Sequence, residues 1–286
     1  MTYQRQRRLT YLLVSIPALL FLLSQVWLMW TSASTALTGE SGRYSLEHVR
    51  RVLADPLLLR AVWNNIVIPV AGVLLETIAG LGMAIWFTHI RKGRTFWRTV
   101  AVIPFALPEI VYLLTTKLLF RPHGYVNSLL VSLGWSAPVG WLQPGSLLMP
   151  VMIVLIDAWR VTPLVFLIVL AALDQMPRSY IEAARVDGGS LWQVIRYVQV
   201  PLVLPALGVA VLLRAVDAFR IFATPLVLVG VEGLPVLTSL AYHYKVDAHN
   251  AAAAQVPALM LGIGLVLSLA VLWAVARRKW GWSWQA

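Results

Sequence analysis

Cysteine is absent from the 286 residues, which excludes disulfides, thiolate metal ligation and a cysteine nucleophile, and leaves the redox compartment unmarked. Charge is scarce too. Asp, Glu, Lys and Arg make up 12% of the chain, against about a quarter in soluble domains. Each of the four lysines (Lys92, Lys117, Lys245, Lys279) follows a residue other than glycine, so no Walker A Gly-Lys-Ser/Thr exists and the chain has no phosphate cradle of that kind. The five histidines form no His-Glu-x-x-His. His243 and His249 are six apart and fall on different faces of a helix, so no metal site is expected. A Gly-x-Ser-x-Gly elbow is missing as well. Catalysis by this polypeptide is not expected, and neither is a bound cofactor.

What is present is apolar. Hydrophobic residues make up 59% and the mean hydropathy is +0.77, so lipid is the solvent for most of the surface and the backbone must satisfy itself in helices or a closed barrel. Apolar runs of roughly 20 residues, rather than alternating ten-residue segments, select helices. The fold class expected is all-α, a polytopic membrane protein. Thirteen tryptophans and nine tyrosines suit the aromatic belts at the two membrane surfaces. The net charge of +11 is assigned to cytoplasmic loops, not to nucleic-acid binding.

Six spans are expected. Positions 10 to 39 hold no Asp, Glu, Lys or Arg after "MTYQRQRR"; the run is too long for a signal-peptide core and carries Trp27, Met29 and Trp30, which makes it an uncleaved first span. The others fall at about 61–88, 99–120, 147–173, 198–222 and 250–276. Thirteen Lys and Arg residues lie on the side of both termini: Arg5, Arg7 and Arg8; Arg91, Lys92, Arg94 and Arg98; Arg178, Arg185 and Arg196; Arg277, Arg278 and Lys279. Six lie opposite: Arg43, Arg50, Arg51, Arg60, Arg121 and Lys245. Both termini are therefore expected in the cytoplasm. Without an internal repeat, residues 1–286 are taken as one membrane domain, with a core at about 61–276, a cytoplasmic loop at 174–200, and a first span with an extracytoplasmic segment in 1–60. Small residues four apart (Gly80 and Ala84, Ala206 and Ala210, Ala258 and Gly262) would let helices approach closely.

"EAARVDGGSLWQVIRYVQVP", Glu182 to Pro201, is the longest polar interruption in the second half. Pro177 can open a helix of about ten residues, with Asp174 as its expected cap or dipole partner, and Gly188 and Gly189 can close it. Arg178, Glu182 and Arg185 share one face; Ile181 and Ala184 share the other. A helix so short needs a partner surface. Either it lies on the lipid headgroups with Glu182 paired to Arg178, or its polar face docks on a cytoplasmic protein and transmits motion to the flanking spans.

Ionisable residues also occur at membrane depth. Asp157 and Arg160 are three apart, and Arg214, Asp217 and Arg220 repeat that spacing, so each set can neutralise itself locally. Glu76 and Glu109 have no obvious local partner, apart from Lys117 two turns beyond Glu109. Such groups either glue helices together or face a pathway or ion-carrier site. Pro104 and Pro108 favour a bend around Glu109. Tyr112, Trp159, Phe219 and Phe222 would offer aromatic faces beside these charges.

Glu182-Ala183-Ala184, three residues, Gly188, nine residues, then Val198-Gln199-Val200-Pro201 resembles the EAA signature, E-A-A-x3-G-x9-I-x-L-P, of permease subunits of binding-protein-dependent ABC importers. Valine replaces Ile at 198 and Leu at 200. Residues 103–130, 156–177 and 205–228 are similar, in the same order, to stretches of the carbohydrate-uptake permeases of maltose/trehalose type, and "RAVDAFRIF" with the tail "ARRKWGWSWQA" points to the first of the two permeases such systems contain. The resemblance implies the type I importer permease fold, with Glu182, Ala183, Ala184, Arg185, Asp187 and Gly188 coupling to an ATPase, and Glu109, Tyr112, Asp157, Arg160, Asp217, Phe219 and Arg220 near the pathway. It further implies a homologous second permease, two cytoplasmic ATPases that bind ATP and Mg, an extracytoplasmic solute-binding protein and a sugar substrate in a bacterial or archaeal plasma membrane. An ion-gradient-driven transporter or channel using Glu76, Glu109 or Asp217 is the alternative. One departure stands out: "LVGVEGLPVLTS" replaces the family's glycine-rich outer turn, which leaves that loop's shape open.

Overall fold

The computed structural model describes residues 19–20, 23–39, 42–90 and 92–280, with 269 and 271–280 as backbone alone. Arg5, Arg7, Arg8, Arg91, the start of the first span and the final six residues lie outside the described residues. The described residues are almost entirely helical: α1 (23–36), α2 (Glu47–Leu53), α3 (Pro56–His89), α4 (Arg94–Ala106), α5 (Glu109–Leu119), α6 (Tyr125–Ser132), α7 (Leu148–Asp174), α8 (Arg178–Val186), α9 (Leu191–Val194), α10 (Val200–Phe219), α11 (Ala223–Gly233), α12 (Leu237–Tyr242) and α13 (Ala251–Trp280). A single isolated bridge, Thr38 to Tyr44, is the only extended pairing among them.

Among the described residues, four stretches are long and apolar enough to cross a membrane: Pro56–His89, Leu148–Asp174, Leu191–Gly233 and Ala251–Ser268. The expected span at 99–120 is not one straight helix. It breaks at Leu107 and Pro108, and α4 and α5 meet at 89°. Proline supplies no N–H and pushes the preceding residue out of the helical region; Leu107 is extended, and Pro108 starts α5 from outside the helix. Counted as one bent span, this pair brings the described spans to five.

α7 is the axis of the fold. Of its apolar window 61% is buried within the chain, against 28% or less for the other three, so it faces protein where the others face lipid. α3 runs parallel to it at close range. Gly80 makes this possible, because a β-carbon there would lie 2.8 Å from Cβ of Val165 and 3.0 Å from the Phe166 nitrogen. Ala84 is buried just beyond, and Phe87 meets Phe166 edge to face at 4.7 Å. Val203, Leu207 and Ala210 of α10 close this inner core. A second core joins α5, α7 and α11 around Leu113, Ile153 and Leu228. A third joins α2, α3, α12 and α13 around Val52, Ala61, Leu240 and Ala253.

α3 begins where Asp55 accepts a bond from the Leu57 nitrogen at 2.8 Å and Pro56 occupies the first helical position, where its missing N–H costs nothing. The turn between α11 and α12, which lacks the expected glycine-rich run, is built from two glycines. Gly230 takes φ 75°, ψ 174°, open to glycine without strain, and Gly233 is buried. α3 pins the turn: Arg60 donates to the Gly233 carbonyl at 3.4 Å, Asn64 to that of Pro235 at 2.8 Å, and Asn65 accepts from the Leu237 nitrogen at 3.1 Å.

Candidate functional site: a buried charge network and an exposed polar helix

Five helices contribute to one polar network at membrane depth. Arg214 of α10 is 1% exposed and Glu76 of α3 is fully buried. The guanidinium grips the Glu76 carboxylate with both prongs, Nε to Oε2 at 2.6 Å and Nη2 to Oε1 at 2.9 Å, the fork geometry that makes arginine the strongest carboxylate partner. Its remaining donors reach Asp157 of α7 at 3.4 Å and Asp217 one turn along α10. Asp157 also accepts from the Thr224 hydroxyl of α11 at 2.9 Å. Arg160 then carries the chain of charges to α5, lying 3.0 Å from Glu109 and 3.8 Å from Asp157.

Local self-neutralisation is therefore only part of the pattern. Arg214 does pair with Asp217, but its bidentate partner comes from α3. Arg160 sits closer to Glu109 than to Asp157. Lys117 does not serve Glu109; its Nζ donates to the Val227 carbonyl at 2.6 Å, one turn before the kink at Gly230. Four carboxylates meet two guanidiniums, so with all groups ionised the network carries an excess of two negative charges. The excess lies at the surface of the chain: the Asp217 and Glu109 side chains are 73% and 42% exposed, whereas Glu76 and Arg214 are sealed.

The expected aromatic residues are spread more widely. Tyr112 joins the network, donating to the Ile156 carbonyl at 2.9 Å. The Phe219 ring lies against Gly264 of α13, and its carbonyl accepts from Asn65 at 2.9 Å. Phe222 packs on Tyr242 with centroids 5.6 Å apart. Trp159 is exposed. Arg220 is exposed and has no ion pair among the described residues. Local spacing gave no access to Thr224 and Asn65, or to the central pairing of Glu76 with Arg214. The one available signal was a lone carboxylate in the otherwise uncharged run 61–88, which had to find a cation on another helix.

The polar loop forms α8. None of its residues is buried; Ile181 and Ala184 are half-buried and Glu182, Ala183, Arg185 and Asp187 are exposed. Gly188, at φ +81°, closes the helix: its N–H reaches the Arg185 carbonyl at 3.0 Å and that of Gly189 reaches the Ala184 carbonyl at 2.9 Å. A β-carbon on Gly189 would stand 2.6 Å from that same carbonyl, so both glycines are required by the turn. Asp174 is not the cap of α8. Arg94 of α4 takes it at 2.5 Å, and Pro177 opens α8 without a side-chain cap. Among the described residues no ion pair joins Glu182 to Arg178.

After α8 the chain re-enters through a capping box, Ser190 with Gln193, and a π-helical turn at Ile195–Gln199. Pro201 explains the wide turn. It offers no N–H to the Tyr197 carbonyl and its ring crowds that oxygen, so the backbone opens to a five-residue bond from Val200 to Ile195.

This arrangement of helices is shared with known proteins. Residues 76–280 match the family model described as "Binding-protein-dependent transport system inner membrane component". The trehalose/maltose transport system permease protein MalF of Thermococcus litoralis is 33% identical over 234 residues, 79% of this chain and 78% of that protein. The inner membrane ABC transporter permease protein YcjO of Escherichia coli is 31% identical over 188 residues, 64% of each. Among solved structures, a bacterial ABC transporter involved in the import of the acidic polysaccharide alginate superposes with a TM-score of 0.80 at 16% identity, covering 96% of this chain and 98% of that one. The chain belongs to the family of binding-protein-dependent transport system inner membrane components, non-catalytic permease subunits of ABC importers.

Proposed function

We propose that this permease imports a sugar, pairing with a homologous permease to enclose the pathway, and that α8 is the lever through which two cytoplasmic ATPases drive it. The observation that carries the mechanical part is α8 itself: a nine-residue helix too short to persist alone, opened by Pro177, closed by two glycines that the turn requires, and exposed along its polar face. Such a helix makes sense seated in a partner. Glu182, Arg185 and Asp187 would meet the ATPase, with Ala183 and Ala184 allowing close approach. ATP and Mg belong to that partner.

The substrate class rests on the relatives. The Thermococcus litoralis protein is named for trehalose and maltose, and a 29% identical relative in Mycobacterium tuberculosis for trehalose. Asp217 and Glu109, the exposed carboxylates of the network, are the groups suited to accept hydrogen bonds from sugar hydroxyls, with Tyr112, Asp157, Arg160, Phe219 and Arg220 around them. An external binding protein would deliver the sugar. Residues 1–286 act as one membrane domain with both termini cytoplasmic. An ion-gradient carrier would need a carboxylate free to load and release a cation, yet Glu76, Glu109 and Asp217 each sit on an arginine.

The test uses the absence of native cysteine. Glu182→Cys places one thiol on α8, and a bifunctional reagent should join it to the ATPase in membranes. Sugar uptake into liposomes holding the assembled complex should need ATP, persist with ionophores, and stop after Glu182→Arg with Gly188→Pro. Capture of no ATPase, or uptake indifferent to ATP, would refute the proposal.

A further inference from the structure

Asn65 of α3 is 1% exposed and lies outside the charge network, yet its carboxamide serves two chain ends that are remote from it in sequence. Nδ2 donates to the carbonyl of Phe219, the last residue of α10, at 2.9 Å. Oδ1 accepts from the nitrogen of Leu237, the first residue of α12, at 3.1 Å. A helix leaves its last carbonyls and its first N–H groups without partners of its own. Here one side chain from a third helix caps both ends. A carboxamide carries a donor and an acceptor in one planar group, which accounts for an asparagine buried in the apolar run 61–88.

Between these ends the chain leaves α10, passes the break at 220–222, forms α11 and turns back into α12. In an unbroken helix the Phe219 carbonyl would receive the Ala223 N–H; Asn65 holds it instead. The Ile221 carbonyl, inside the break, accepts from the Thr238 hydroxyl in the first turn of α12. Both contacts favour the broken path over a continuous helix. α11 is tied sideways as well, through the Thr224 hydroxyl to Asp157 of α7 at 2.9 Å and through the Val227 carbonyl to Lys117 of α5 at 2.6 Å. It can tilt, but the ends of the excursion stay together on α3.

We propose that Asn65 is a positioning residue for the pathway: by joining Phe219 and Leu237 it keeps 220–222 out of the helix and makes the segment 219–237 follow α3. Asp217 and Arg220 flank the first of these anchor points, so the same clamp sets where both charges stand. The inference rests on the pathway role proposed for those two residues; the clamp itself is read separately, by spectroscopy.

Double electron–electron resonance on the full chain in mixed micelles provides the test, because a chain without native cysteine takes spin labels only where they are placed. Leu213→Cys with Glu232→Cys, at exposed positions of α10 and α11, reports across the break. Ile78→Cys with Leu155→Cys, exposed on α3 and α7, is the control pair. Asn65→Leu keeps the bulk and removes both bonds; Thr238→Val keeps the shape and removes only the bond to Ile221. Asn65→Leu should widen the 213–232 distance distribution and Thr238→Val should widen it less, with the control pair unchanged in both. ATP hydrolysis by the assembled complex should fall about tenfold in Asn65→Leu, the equivalent of one buried hydrogen bond. Unaltered 213–232 distances in both variants, equal widening of both pairs, or full hydrolysis despite widening overturns the proposal. Wild-type uptake indifferent to ATP would instead refute the transport reading above and leave the distances to judge the clamp.

Discussion

Arg214 is the residue whose loss should be felt most, and the network geometry sets the size of the effect. Arg214→Met keeps the volume and removes the charge. Glu76, with no exposed side-chain area, then keeps a carboxylate in the protein interior with no cation, and Asp157 loses one neighbour while retaining the Thr224 hydroxyl and the distant Arg160. Breaking a buried pair from one side costs about 3 to 5 kcal/mol. Glu76→Leu is milder, because Arg214 still holds Asp217 and Asp157; losing bonds to a charged group costs about 1.5 to 3 kcal/mol. In the double variant neither stranded charge remains. It should be less destabilised than the sum of the singles by about 2 kcal/mol, as groups in one network are not additive.

Unfolding of the purified chain in mixed micelles, followed by the fluorescence of its thirteen tryptophans, yields the cycle. Additivity within about 0.5 kcal/mol, the behaviour of independent sites, would refute the view that Glu76 and Arg214 are direct partners. Asp217→Asn is the internal control. Its side chain is 73% exposed, so water screens it and its loss should cost far less than that of Glu76.

Three further outcomes follow from named contacts. Gly80→Val forces α3 from α7, since the first added carbon already meets Val165 at 2.8 Å, and should cost about 1 to 3 kcal/mol by overpacking, read as a lower melting temperature. Gly189→Ala drives a methyl into the Ala184 carbonyl; hydrogen exchange should rise across 183–189, and ATPase stimulation in the assembled complex should fall while the spans stay protected. Tyr244 donates to Asp55 at 2.6 Å, and burial, reinforced by that carboxylate, pushes its phenol above the ordinary value of 10.0. The folded state holds this proton more tightly than the unfolded chain, so the contribution is complete below about pH 10 and lost as pH rises through the folded pKa. Alkaline denaturation curves should show that loss, and Tyr244→Phe should remove it.

Much of the architecture was legible because lipid leaves the backbone few choices. Apolar runs of span length marked α3, α7, α10 and α13, and the caps of α8 at Pro177 and Gly188 follow local stereochemistry. What escaped is non-local. Glu76 and Arg214 are separated by 138 residues, and Asp174 was taken from α8 by Arg94, 80 residues upstream; spacing rules along one helix reach neither. Pro108 announced a bend, but its 89° angle depends on how α5 packs on α11. The two-glycine outer turn was hidden for the same reason, since Arg60, Asn64 and Asn65, which hold it, lie on α3.

The same two helices flank the network and α8, so the lever role proposed for α8 would make them one mechanical system. α8 hangs between the C-terminal end of α7 and the π turn that opens α10, so a displacement of α8 is applied to both helices together. At membrane depth those helices are fastened to each other through Arg214 and Asp157, and to α3 through Glu76 and the close crossing at Gly80. Shearing α7 past α10 would pull a sealed guanidinium from two carboxylates, which the stranded-charge cost opposes. Bending where the chain is already non-helical, at Leu107–Pro108 and at 220–222, breaks no such pair. A push on α8 is thus expected to swing α3, α7 and α10 as one body while α5 and α11 yield around it. Arg160 with Glu109, and Thr224 with Asp157, are the contacts that must lengthen first, because they cross from that body to the elements beyond the breaks.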